Sequence, residues 1–211
     1  KTVCEELHAP LTLVDKTNIK NLEASSNEVR FDYKEYQDLK LNLLGFHQAE
    51  NAIFAIEIIK NLTGFIVSND AIYKGLNQAF WPGRLEVINR KPLIIIDGAH
   101  NIDGIKRLKQ FIEAIKKDNY LRLVFAISAN KEKETMIKII EDVADEVIFT
   151  HFMYKRSDEA TNLYGLSHHQ HKRIIDDVDE IVKISLDNPD VITIFCGSLF
   201  FVSEIRNKFL S

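Results

Sequence analysis

The chain has 211 residues, of which 45% are hydrophobic and 27% charged, with a formal net charge of -4. That balance belongs to an ordinary water-soluble globular protein, able to bury roughly 70% of its unfolded surface as one large domain or two small ones. It gives no electrostatic reason to expect nucleic acid or an anionic membrane as partner.

The two cysteines, Cys4 and Cys196, fit neither a disulfide framework nor a CxxC site, so two reduced, buried thiols in a cytoplasmic protein are expected. Residues 1–10 are charged and mixed, unlike a secretory leader. The longest apolar stretch, 191–202, is interrupted by Thr193, Gly197 and Ser198 and is too short to span a bilayer.

In chain order, residues 11–14 read as a short strand and 18–28, rich in Asn and Ser, as a loop. Val29, Phe31 and Tyr33 alternate, as do Leu39, Leu41 and Leu43, which predicts a hairpin joined across 34–38. From His47 the period changes, and Ala49, Ala52, Ile53, Ile56 and Ile59 share one helical face as far as about Leu62. A second helix is expected over 69–80 with Asn69 as its cap, and Trp81-Pro82-Gly83 then breaks the chain.

A hairpin over 85–88 and 93–97 follows. Thereafter strand and helix alternate: helix faces at Ile105, Leu108, Ile112 and Ile115, at Met136, Ile139, Ile140 and Val143, at Ile181 and Val182, and at Val202, Ile205 and Phe209. Strands are expected over 121–127, 146–150, 173–175 and 191–195. The fold class is therefore α/β: a Rossmann-like, mostly parallel sheet with helices on both faces and one antiparallel edge strand, preceded by an α+β part. The boundary is expected between Phe80 and Val87, giving units 1–86 and 87–211.

In such sheets ligands sit outside the carboxyl ends of the strands. The loops expected there are 97–101, 128–133, 150–163 and 197–198. Asp97-Gly98-Ala99-His100-Asn101 ends a strand with an acceptor-only carboxylate, turns at Gly98, and offers Asn101 as a helix cap. Arg84, fixed after Trp81-Pro82-Gly83, presents a planar fork suited to two phosphate oxygens. Asn51, in Gly45-Phe46-His47-Gln48-Ala49-Glu50-Asn51-Ala52, has the donor and acceptor needed to read an adenine edge. Ser198 either caps the last helix or helps its N-terminus hold a carboxylate.

Each feature alone is better read as an ordinary turn, cap or surface residue. His168, His169 and His171 match no zinc spacing and read as a solvated loop, so no metal ligands are expected in this chain. Neither GxGxxG nor a P-loop occurs.

The order of these motifs, from Gly45-Phe46-His47-Gln48 through Pro82-Gly83-Arg84 and Asp97-Gly98-Ala99-His100-Asn101 to Gly197-Ser198-Leu199, resembles folylpolyglutamate synthase, often joined with dihydrofolate synthase, in the Mur ligase superfamily. The resemblance implies an ATP-dependent ligase that adds L-glutamate to folate or dihydropteroate through an acyl phosphate. Residues 1–86 would be the tail of its central ATPase domain and 87–211 its glutamate ligase domain. The P-loop and the Mg2+ ligands would lie upstream, so this chain alone is expected to be inactive. A monomer is expected.

By resemblance Asn51 would contact adenine, Arg84 the phosphates and Asp97 the ribose side of ATP. His100 and Ser198 would face glutamate and the acyl phosphate, with Lys131 a lesser candidate. The chain departs from the family at Ile102, at Asn130-Lys131-Glu132 and at Phe200, where proline, Asp-Lys-Asp and tyrosine are common. The alternatives are another Mur-type ligase with a different acceptor, or a non-catalytic nucleotide-binding domain.

Overall fold

Two kinds of apolar pattern build two sheets in the computed structural model, which describes residues 2–210. A short helix, α1 (Thr2–Glu6), precedes three antiparallel strands, β1 (Ile19–Ala24), β2 (Val29–Tyr33) and β3 (Tyr36–Leu41), in that spatial order. Val29, Phe31 and Tyr33 of β2 share one core with Leu39 and Leu41 of β3, as their alternation requires. Onto that core α2 (His47–Lys60) lays Ala49, Ala52, Ile53 and Ile56, and α3 (Asn69–Gln78) adds Ile72.

Three expectations for this part are corrected. Residues 11–14 form no strand, and Leu11 and Leu13 remain exposed. Residues 18–28 are not a loop throughout, because β1 occupies their first half. Ile19 and Leu22 are only half-buried yet suffice to seat it beside β2, with Ile19 opposite Tyr33. The cap of α3 is Ser68, not Asn69: its Oγ accepts from the Ala71 amide at 3.2 Å.

The second sheet contains β4 (Glu86–Arg90), β5 (Leu93–Asp97), β6 (Tyr120–Phe125), β7 (Glu146–Phe149), β8 (Lys172–Ile174) and β9 (Val191–Cys196), in the order β4-β5-β9-β6-β7-β8. Only the edge strand β4 is antiparallel. The connecting helices are α4 (Ile102–Lys116), α5 (Lys133–Glu141), α6 (Ala160–Leu166), α7 (Val178–Leu186) and α8 (Leu199–Leu210).

Strand alternation divides the interior: Ile95, Leu123, Phe125, Val147 and Ile194 meet α4, α5 and α6, while Ile94, Ile96, Val124, Ile148 and Phe195 meet α7 and α8. Helix α6 falls within residues expected as loop. Its seven residues bury only Ala160 and Leu163, too few to show a helical period.

Because β9 inserts between β5 and β6, the carboxyl ends of β5 and β9 stand side by side, with Asp97 opposite Cys196. Cys196 is buried there, and burial together with nearby Asp97 pushes its thiol pKa well up. Cys4, expected to be buried, is only half-buried. Leu44 and Leu85 join the core beneath α4, and Arg90 Nη1 donates to Asn27 Oδ1 at 2.7 Å, so the two sheets are in contact. Among the described residues no helix is long and apolar enough to cross a membrane.

Candidate functional site

The site is organised by the Trp81–Arg84 turn clasping the end of β5. The turn closes with the Arg84 amide donating to the Trp81 carbonyl at 3.3 Å, and the Gly83 amide donating to Glu86 Oε2 at 2.8 Å. Glu86 is itself held by Arg206 of α8, with Nε at 2.9 and 3.0 Å from its two carboxylate oxygens. The Gly98 amide then donates to the Gly83 carbonyl at 2.8 Å, and the Leu85 amide to Asp97 Oδ2 at 2.8 Å. Arg84 thus has its backbone fixed on both sides.

Asp97 Oδ1 accepts from the Ala99 amide at 2.9 Å, so both carboxylate oxygens have backbone partners. The side chain is buried, and burial raises its pKa from 3.8 to about 6. The two amides, then Arg84 and His100, pull the other way without prevailing. At Gly98 an added Cβ would lie 2.2 Å from Leu199 Cδ2, so the Leu199 side chain would have to move to admit one. Close contact of β5 with the start of α8 is what this glycine permits. Asn101 caps α4 as expected, its Oδ1 accepting from the Gly104 amide at 2.7 Å.

A cavity of about 330 Å³ opens here, lined among others by His47, Arg84, Asp97, His100 and Arg107. It brings together three of the residues expected from sequence: Arg84, Asp97 and His100. A neighbouring cavity of about 540 Å³ connects His100 with Lys131. The His100 ring is steered by Nδ1, 2.8 Å from the Gly98 carbonyl oxygen.

Two expected residues lie outside the first cavity's lining. Asn51 is exposed on α2, one turn beyond His47, and donates through Nδ2 to Gln48 Oε1 at 2.9 Å. Ser198 is buried, and its Oγ accepts from the Phe200 amide at 3.2 Å, which is the capping role. Phe200 is half-exposed and stacks on Tyr154 with ring centroids 4.3 Å apart.

His47 and Arg107 were missed by sequence reasoning. Arg107 is a polar helix residue that no motif marks, and His47 lies within Gly45-Phe46-His47-Gln48 without a role assigned to it. Burial, then the charge of Arg107, lowers the His47 pKa from 6.5 to about 4; Glu50 opposes this and Arg84 adds to it. The imidazole is therefore neutral at pH 7.

A larger cavity, about 660 Å³, lies at the opposite, amino end of the strands and is lined by Tyr120, Glu141, Asp145, His168, His169 and His171 among others. His169 is half-buried there, with Nε2 3.0 Å from the Ala144 carbonyl oxygen, while His168 and His171 are exposed. Among the described residues no three His, Cys, Asp or Glu side chains stand together as a metal site.

Residues 83–199 match the family model of the Mur ligase glutamate ligase domain. The chain is 32% identical over 206 residues to a dihydrofolate synthase/folylpolyglutamate synthase of Bacillus subtilis, covering 93% of this chain and 48% of that protein. The folylpolyglutamate synthase structure from Thermotoga maritima superposes with a TM-score of 0.85 at 27% identity, covering 100% of this chain and 50% of that one. A Mycobacterium tuberculosis folylpolyglutamate synthase structure, complexed with ADP, shares the fold with a TM-score of 0.84 at 21% identity, covering 98% of this chain and 51% of that one. The chain spans about half the length of these relatives.

Proposed function

The chain belongs to the Mur ligase family, and from that premise we propose that it is the C-terminal part of an ATP-dependent ligase joining L-glutamate to folate or dihydropteroate. In this reading residues 1–86 complete a central ATPase domain and 87–211 form the glutamate ligase domain, in a monomeric, cytoplasmic enzyme. ATP phosphorylates the acceptor carboxylate, the glutamate amine attacks the acyl phosphate, and an amide, ADP and phosphate leave.

The observation that carries this reading is that Arg84 and Asp97 share one cavity and are tied through the residues flanking Arg84, the Leu85 amide donating to the Asp97 carboxylate and the Gly83 carbonyl accepting from the Gly98 amide. A guanidinium whose main chain is fixed needs little reorganisation when charge develops on phosphoryl oxygens. Arg84 would hold phosphate oxygens. Asp97, with its first lone pairs taken by amides, keeps capacity for a ribose hydroxyl.

His100, shared by both cavities, is suited to bridge the nucleotide to the glutamate side, where Lys131 would supply a cation. Ser198 would act there through the start of α8. Asn51 would reach adenine from one turn beyond His47. Magnesium would be held by residues outside this chain.

Two kinetic experiments test the reading. In the enzyme carrying both parts, Arg84→Ala should lower glutamate-dependent ADP release ~10²-fold or more, as for other lost charge-stabilising donors. Unchanged kinetics would remove Arg84 from the site. The 211-residue chain alone, supplied with ATP, folate and glutamate, should release no ADP, since it has no P-loop. Turnover there would end its reading as one part of a larger enzyme.

A further inference from the structure

Arg107 is a second guanidinium at the carboxyl-end cavity, and none of the motifs above gives it a purpose. It projects from α4, whereas Arg84 comes from the turn before β4 and His47 from the first residue of α2, so three separate elements converge on one cavity. Arg122, Arg173 and Arg206 are each held by a glutamate. Among the described residues, no carboxylate lies within salt-bridge distance of either Arg84 or Arg107, and neither side chain has a hydrogen-bond partner.

The carboxylates that do line the cavity form no ion pair with either arginine, although Asp97 lies close enough to feel the charge of Arg84. Asp97 directs both oxygens to backbone amides. Asp103 is exposed, one turn ahead of Arg107, and makes no ion pair with it. Two guanidiniums without acid partners around one cavity favour an anion with several oxygens, because the planar fork of arginine matches such groups with paired, charge-assisted hydrogen bonds. The neutral His47 ring lies beside both and can donate a hydrogen bond without adding a third positive charge.

We propose that Arg107 is a second phosphate-binding residue, which together with Arg84 grips the phosphates of a nucleoside polyphosphate bound in this cavity. The inference rests on reading the cavity as the nucleotide site, and it adds a contact from α4 that the sequence motifs do not encode. A carboxylate ligand such as glutamate shares the anionic chemistry and has to be separated from phosphate by experiment.

Calorimetric titration of the enzyme carrying both parts with ADP, adenosine, pyrophosphate and L-glutamate, in wild type and in Arg107→Ala, Arg107→Lys and Arg84→Ala, makes that separation. Thermal melts of each variant confirm folding. Arg107→Ala should weaken ADP and pyrophosphate about tenfold or more and leave adenosine unchanged, with Arg107→Lys recovering part of the loss. If Arg84→Ala weakens ADP but Arg107→Ala does not, this inference fails and the nucleotide site stands. Equal weakening of adenosine and ADP by Arg107→Ala would make the residue merely structural, and an effect confined to L-glutamate would assign it to a carboxylate; either result overturns the inference. ADP binding that responds to neither arginine rejects both this inference and the nucleotide reading of the cavity.

Discussion

The two ends of the six-stranded sheet both carry cavities lined by titratable side chains, and the larger cavity is at the end without the family motifs. At the amino end the charges are matched. Glu146 sits between Arg122 and Arg173 at 2.7 Å from each, Asp145 takes Lys116 at 2.8 Å, and Glu141 accepts from Ser167 Oγ at 2.5 Å. In the carboxyl-end cavity Arg84 and Arg107 make no ion pair among the described residues, and a buried carboxylate and a half-buried histidine sit with pKa values displaced toward each other's usual range. Volume alone thus says little about function. Groups left electrostatically unsatisfied at a strand-end crevice say more.

The contrast can be broken most severely through the backbone at the carboxyl end. Gly197 has φ +112°, and an added Cβ would lie 2.4 Å from the Ala126 carbonyl oxygen. Gly197→Ala should therefore cost about 3 kcal/mol of stability, read as a lowered urea midpoint. A variant within 0.5 kcal/mol of wild type, to use roughly the margin of neutral surface changes, would show that this junction yields easily.

Next come the two displaced titrations, which oppose each other. Asp97 has its pKa raised in the folded state, so it binds more protons folded than unfolded between 3.8 and about 6. Its stabilising contribution is full below pH 3.8 and is lost as pH rises through 6, an integrated change of about 3 kcal/mol. The stability of wild type relative to Asp97→Asn should accordingly fall between pH 4 and pH 7.

His47 has its pKa lowered, so its contribution is present above 6.5 and is lost as pH falls toward 4. His47→Gln should therefore gain on wild type over the same range as the solution is acidified. Wild type should show a flatter pH profile in chemical denaturation than either variant. Parallel profiles for all three proteins would mean that these shifts are absent.

The smallest effect belongs to the amino end. His168→Ala, at an exposed position there, should shift stability by less than about 0.5 kcal/mol. It should leave ADP affinity untouched in the same titration that reads Arg107→Ala. A measurable loss of ADP binding would place function at the wrong end of the sheet.

The repeating strand and helix of the second part were legible because each helix spans several turns and each strand is buried on one or both faces. The alternation of Ile94, Ile95 and Ile96 between two cores left little freedom. Where burial was partial, the pattern faded: β1 holds three half-buried apolar residues and no fully buried one among Lys, Asn and Glu, and α6 is too short for a period. Arg84, Asp97 and His100 were legible as motif residues, and the fold gathers them into one cavity. Arg107 was not, since an exposed arginine on a helix looks the same in sequence whether it faces a cavity or open water. Asn51 and Ser198 show the converse, being prominent in sequence yet turned to a neighbouring glutamine and a helix cap.

The clasp between the Trp81–Arg84 turn and the tip of β5 also has a mechanical meaning. With the Gly83 carbonyl accepting from the Gly98 amide and the Leu85 amide donating to the Asp97 carboxylate, Arg84 moves as cargo of the six-stranded sheet. Any swing of that sheet against the three-stranded one must pivot ahead of Trp81, carrying the guanidinium toward or away from whatever the other half presents.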